Sequence, residues 1–217
     1  AKNTQVNVKY LEQDNTPGDN TDNKVLAQET IQGYEGKEYN TEEKQIANYT
    51  FIESTDNTTG LMTKEPIEVI YYYAQNTSVT VKYLEQGTNQ KIAEPTIING
   101  YEGKEYKTTQ KDITGYTFVE STNNTEGKMT KTPIEVIYYY AQNTTVRVQH
   151  IDKETGEILK ETIHEGKVGD ICKTHAEDIE SYVLVESPKN PDVVMKTGEQ
   201  VVKYYYAHIS QGVLEKH

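Results

Sequence analysis

The chain has 217 residues, a net charge of −12 and 34% hydrophobic residues, with no tryptophan, two phenylalanines and eighteen tyrosines. That acidic balance argues against nucleic acid or an anionic membrane as the main partner, because both need a basic footprint. No apolar run is long enough for a membrane-spanning helix, and the single cysteine, Cys172, admits no internal disulfide.

The chain opens on an alternating segment, Val6-Asn7-Val8-Lys9-Tyr10, which predicts a half-buried strand. The segment returns as Val79-Thr80-Val81-Lys82-Tyr83 and as Val146-Arg147-Val148-Gln149-His150. After the first opener, residues 14–23 are turn-formers, an insertion that a surface hairpin loop absorbs at little cost. The middle copy shows the rest most cleanly. Gly87-Thr88-Asn89-Gln90 is a hairpin turn, and Ile92 to Asn99 is a strand whose Pro95 marks an edge or a bulge. Gly100-Tyr101-Glu102-Gly103 breaks that strand before the short extended Lys104-Glu105-Tyr106. Thr108 to Ile113, matched by Thr41 to Ile46 and Thr174 to Ile179, predicts a short capped helix, with Thr174 and Glu177 spaced as a capping box. Tyr116 to Thr122 is a strand, Asn123 to Gly127 a turn, and Ile134 to Ala141 the closing strand.

The closing segment carries the organisation. Ile67 to Asn76 recurs unchanged as Ile134 to Asn143, and more loosely as Gln200-Val201-Val202-Lys203-Tyr204-Tyr205-Tyr206-Ala207. Between Gly33 and Asn76, 33 of 44 positions match Gly100 to Asn143. A fixed period defines a tandem array. The expected domains are 1–76 (with the loop insertion 14–23), 77–143 and 144–209, with 210–217 the start of a truncated fourth repeat. The chain therefore reads as part of a longer protein. Linkers of a few residues, with no Pro-rich or Ser-rich tether, favour an elongated, monomeric rod. Alternation puts Val136, Tyr138 and Tyr140 on the core face of the closing strand and Ile137 and Tyr139 on the other. The order strand, strand, short helix, strand, strand predicts an α+β fold, a tandem array of three small domains, mostly strand. With first and last strands side by side, each domain would be β-grasp (ubiquitin-like).

Four motifs in order carry a family resemblance: Val79 to Tyr83, Gly100 to Tyr106, Gly115 to Ser121 and Val136 to Tyr140. Together they resemble the MucBP (mucin-binding protein) repeat, and the likeness covers nearly the whole chain. The third copy keeps the frame in Gly166 to Gly169, Tyr182 to Ser187 and Tyr204 to Tyr206. The resemblance implies a β-grasp-like, non-enzymatic module of Gram-positive surface adhesins. It also implies an extracellular, cell-wall-anchored parent, with host mucin or other glycoprotein glycans as partner. It brings no catalytic residues and no cofactor.

A ligand surface should recur with the repeat. Tyr34-Glu35 and Tyr101-Glu102, with Tyr72 and Tyr139 of the closing strands, are the recurring groups able to stack on a sugar face and bond its hydroxyls. The third copy has Lys167-Val168 instead and should bind worse; a purely structural use of these tyrosines is the competing reading. The other chemistry is thin. All five histidines fall in the third repeat and tail with no short zinc spacing. The Asp14–Asn23 loop lacks the spacing of a calcium loop. Cys172 stands where Tyr39 and Tyr106 stand, a buried small residue rather than a nucleophile. Lys9 and Lys82 point away from the core and give way to Gln149, against an isopeptide bond. The expected role is adhesion to host mucin or glycans; the alternative is a structural stalk that projects a distal binding domain.

Overall fold

The computed structural model describes residues 1–13 and 23–210. The insertion loop and most of the expected fourth-repeat start lie outside the described residues. In chain order the strands are β1 (Asn3–Glu12), β2 (Val25–Tyr34), β3 (Glu38–Asn40), β4 (Tyr49–Ser54), β5 (Thr59–Leu61), β6 (Ile67–Glu85), β7 (Lys91–Tyr101) and β8 (Glu105–Lys107). They continue with β9 (Tyr116–Ser121), β10 (Glu126–Lys128), β11 (Ile134–Asp152), β12 (Ile158–Lys167), β13 (Ile171–Lys173), β14 (Tyr182–Glu186), β15 (Asp192–Val194) and β16 (Gln200–His208). β6 and β11 each fuse the closing strand of one repeat with the opening strand of the next, so the Gln-Asn-Thr linkers are themselves strand.

Contacts divide the chain into two compact units. One holds residues 1–81, 95–109 and 122–136, and the other residues 82–94, 110–121 and 137–217. In the first unit, β1 pairs antiparallel with β2 and parallel with β6, and β6 pairs antiparallel with β4. In the second, β11 pairs antiparallel with β12 and parallel with β16, and β16 pairs antiparallel with β14. First and last strands therefore do lie side by side. Two-stranded ribbons, β3 with β5, β8 with β10 and β13 with β15, complete the repeats.

The core of the first repeat joins the sheet to its ribbon. Val6, Val8 and Tyr10 of β1 and Val69, Tyr71 and Tyr73 of β6 pack with Tyr39 of β3 and with Met62. The third repeat repeats this with Val146, Val148, Cys172, Met195, Val202, Tyr204 and Tyr206. Alternation read the triple tyrosine correctly: Tyr71 and Tyr73 are buried, as are Tyr138 and Tyr140, while Tyr72 and Tyr139 are half-buried on the other side. Gly100 is set by packing, since a methyl group there would sit 2.5 Å from Met129 Sδ.

The helix expectation is wrong, and with it the α+β class: the fold is nearly all strand, and no helix occurs among the described residues. Thr41 to Ile46, Thr108 to Ile113 and Thr174 to Ile179 are irregular segments, neither helix nor strand. The buried tyrosines are the reason. Tyr73 Oη donates to the Lys44 carbonyl at 2.6 Å and accepts the Lys44 N–H at 2.9 Å. Tyr140 does the same to Lys111, and Tyr206 to Glu177. Thr174 Oγ1 donates to the Pro191 carbonyl at 2.6 Å and lies 2.8 Å from Tyr204 Oη, so it is not a helix cap. A core hydroxyl thus takes the backbone bonds that a helix turn would have made internally. Leaving such a buried pair unsatisfied costs about 1–3 kcal/mol per group.

Candidate ligand surface and the repeat junctions

Tyr34 ends β2 and is 51% exposed, with Lys37 Nζ 5.9 Å from its ring centroid. The next residue, Glu35, is held by its N–H, which donates to the Lys2 carbonyl at 2.9 Å. Tyr101 repeats the cation–ring contact with Lys104 at 5.8 Å but is half-buried. Such contacts hold a ring in place and leave its other face available.

The structure does not gather the predicted residues of one repeat into one site. Along β1, Asn3 pairs with Tyr34 at one end and Leu11 pairs with Tyr72 at the other. Eight residues of strand separate the two pairings, about 26 Å at a strand's rise. The next repeat meets β6 beyond Tyr72: the Glu102 N–H donates to the Gln75 carbonyl at 2.9 Å, three residues along the strand.

Glu102 itself serves this junction. Lys131 Nζ lies 3.0 Å from Glu12 Oε1 and 3.9 Å from Glu102 Oε2. Tyr49 Oη donates to the other Glu12 oxygen at 3.2 Å. The side chains of Glu12 and Glu102 are only 9% and 16% exposed, and Glu102 Oε2 is sealed from solvent with no hydrogen-bond partner. The hydrogen bond to Glu12 pushes the Lys131 ammonium above its ordinary value, and Glu102 adds to it. Burial, then the Glu12 charge, pushes the Tyr49 hydroxyl up. Sequence reading missed Lys131 and Glu12. The recurrence of Lys64 as Lys131 was visible, but its partner lies in another repeat.

The junction of the second and third repeats keeps the backbone and changes the side chains. The Val168 N–H donates to the Gln142 carbonyl at 2.8 Å, as Glu102 does to Gln75. Tyr116 Oη donates to Glu85 Oε2 at 3.1 Å, as Tyr49 does to Glu12. Val168 and Thr197 occupy the places of Glu102 and Lys131, and with Glu85, Gln86, Ala141 and Gln142 they line a cavity of about 50 Å³. Beside it opens a cleft of about 910 Å³, lined among others by Asn143, Thr144, Arg147, Lys167, Asp170 and Glu199. Its cations are ion-paired: Arg147 with Glu161 and with Glu199 at 3.0 Å, and Lys167 with Asp170 at 2.9 Å. Sequence reading passed over this cleft because its walls come from separate parts of two repeats.

Among the described residues no group of three or more His, Cys, Asp or Glu side chains could hold a metal ion. Cys172 is buried, and burial pushes its thiol up. Its counterparts Tyr39 and Tyr106 instead donate to the carbonyls of Asn57 and Asn124, both at 2.8 Å.

A tandem array of small β repeats joined by continuous strands is the class that these features define. The MucBP domain family matches residues 5–74, 78–141 and 145–207, and the chain belongs to that family. It is similar to Internalin J of Listeria monocytogenes serovar 1/2a, 30% identical over 214 residues, which cover 94% of this chain and 24% of the relative. Internalin J of serotype 4b is 31% identical over 197 residues, 87% of this chain and 21% of the relative. The chain thus spans under a quarter of the length of these relatives. Among solved structures it resembles the Bacillus anthracis TIE protein, at 12% identity and a TM-score of 0.38, covering 95% of this chain and 51% of the other. It also resembles the type 2 repeat of the mucus binding protein MUB from Lactobacillus reuteri, at 16% identity and a TM-score of 0.21, covering 62% and 98%.

Proposed function

We propose that the chain is the repeat region of a bacterial cell-surface adhesin that binds host mucin or other glycoprotein glycans without chemistry. Membership of all three repeats in the MucBP domain family carries this reading. The best-presented sugar-facing group is Tyr34-Glu35, because Tyr34 is exposed while Glu102, its neighbour's counterpart, is spent on a junction. Stacking on Tyr34 with hydrogen bonds to Glu35 suits a pyranose face. A cell-wall anchor in the parent protein belongs to the same reading.

The test is binding of the full chain to immobilised mucin and to a broad glycan array. Tyr34→Ala with Glu35→Gln should weaken binding severalfold with the fold intact by circular dichroism. Unchanged binding discards that surface. The second reading, a stalk that only projects a distal domain, is favoured by the junction itself, where a recurring Tyr-Glu pair serves packing. No binding to either probe leaves the stalk.

A further inference from the structure

We propose that the third repeat is an acid-sensitive element and the first is not, through His150, a buried imidazole that stands where Tyr10 and Tyr83 stand in the other repeats. His150 is 1% exposed, and its ring stacks on Tyr204 with centroids 5.4 Å apart. Its Nδ1 lies 2.9 Å from Tyr206 Oη. That hydroxyl is already committed: its proton goes to the Glu177 carbonyl at 2.9 Å, and it accepts the Glu177 N–H at 3.0 Å. A phenol has one proton and two lone pairs. Nδ1 must therefore be the donor, which assigns the neutral ring with its proton on Nδ1 and a bare Nε2.

A second proton would place a full charge in the core. Burial opposes it, Lys160 and His175 oppose it further, and only Glu177 favours it. Glu177 is already ion-paired with Lys160. The imidazole is accordingly held below its ordinary value.

The first repeat has a different arrangement at this point. Tyr10 stacks on Tyr71 at 5.3 Å, and Lys44, the counterpart of Glu177, sits over the Tyr10 ring at 4.9 Å from its centroid. In the middle repeat Lys111 lies 4.6 Å from the Tyr83 centroid. A cation over a phenol has become a carboxylate beside an imidazole, so a buried imidazole takes the place of a phenol in this core alone among the three.

The sign follows from linkage. A histidine whose folded value is lowered contributes stability that is fully present above its unfolded value, about 6.5. That stability is lost as pH falls from there through the folded value. In this window the opening equilibrium of the third repeat rises by up to about tenfold per pH unit, before ordinary carboxylates titrate.

Amide hydrogen exchange resolved by repeat, on the full chain at pH 7.5 and 5.5 and corrected for intrinsic exchange, tests the proposal. Amides of β12, β14 and β16 should lose protection relative to those of β1, β2 and β4 by up to about tenfold, and His150→Tyr should abolish the difference. The NMR titration of the His150 imidazole in the unaltered chain needs no variant, and it should fall below the ordinary histidine value. An ordinary or raised value overturns the proposal, as does acid sensitivity that survives in a folded His150→Tyr chain.

Discussion

The two junctions share a backbone and differ in chemistry. In both, a fused strand offers a carbonyl, Gln75 or Gln142, to the N–H of the next repeat's loop, and a tyrosine holds a glutamate at the end of the preceding repeat. The first junction adds Glu102 and Lys131, two carboxylates around one ammonium. The second replaces both with Val168 and Thr197 and keeps a small cavity. The paired change is instructive. Glu12 and Glu102 are tolerable in so dry a place because Lys131 stands between them. Where the lysine is gone, the second carboxylate is gone too, leaving Glu85 to the hydroxyls of Tyr116 and Thr88. Each junction is balanced in itself, and a half-exchange should upset it.

The largest expected effect comes from breaking that balance. Lys131→Thr leaves two nearly buried carboxylates without a cation and should destabilise the first junction by about 1–2 kcal/mol, between the cost of a broken buried pair and that of an exposed one. Faster exchange of the Glu102 amide reads it out, with the Val168 amide as the internal control. Completing the exchange with Glu102→Val should recover part of the loss, since the double variant carries one stranded carboxylate fewer. A double variant as unstable as the sum of its parts would mean that Glu102 and Lys131 do not form a unit.

The reverse graft sharpens the comparison from the other side. Val168→Glu with Thr197→Lys gives Glu85 a cation and fills the cavity, for a gain of up to about 1 kcal/mol in urea unfolding. Thr197→Lys alone should capture most of it, because Glu85 is already in place. A gentler probe is alkaline pH. The Lys131 ammonium is raised, so its contribution is complete below the unfolded lysine value of about 10.4 and is lost as pH rises through the folded one. Tyr49 and Tyr116 are raised as well, chiefly by burial, and weaken both junctions in the same direction. The first junction should therefore loosen more than the second above that pH. The smallest effect is screening: 1 M salt should weaken the first junction by a few tenths of a kcal/mol, because Lys131 is 55% exposed, and leave the second unchanged.

Much of this molecule was readable as pattern. The openers and closers alternate, and alternation alone assigned Tyr71 and Tyr73 to the core and Tyr72 to the other side. Pro95 sits in β7 as expected of an edge strand. The predicted turn over Asn123–Gly127 overlaps the ribbon strand β10, which is only three residues long and centred on Gly127.

The sequence by itself determined the array, the strand periodicity and the net acidic charge, because each follows from the order and composition of the chain. Tertiary structure decided the rest. Thr41 to Ile46 has the letters of a capped helix and is irregular, because Tyr73 reaches across the core and takes the backbone bonds of Lys44. Glu102 resembles a ligand group in sequence and is a junction residue in space, because Lys131 and Glu12 reach it only once two repeats are stacked. Tyr34, with the same sequence around it, stays exposed. Local sequence sets what a side chain can do; the partner that folding brings within hydrogen-bond or Coulomb range sets what it does.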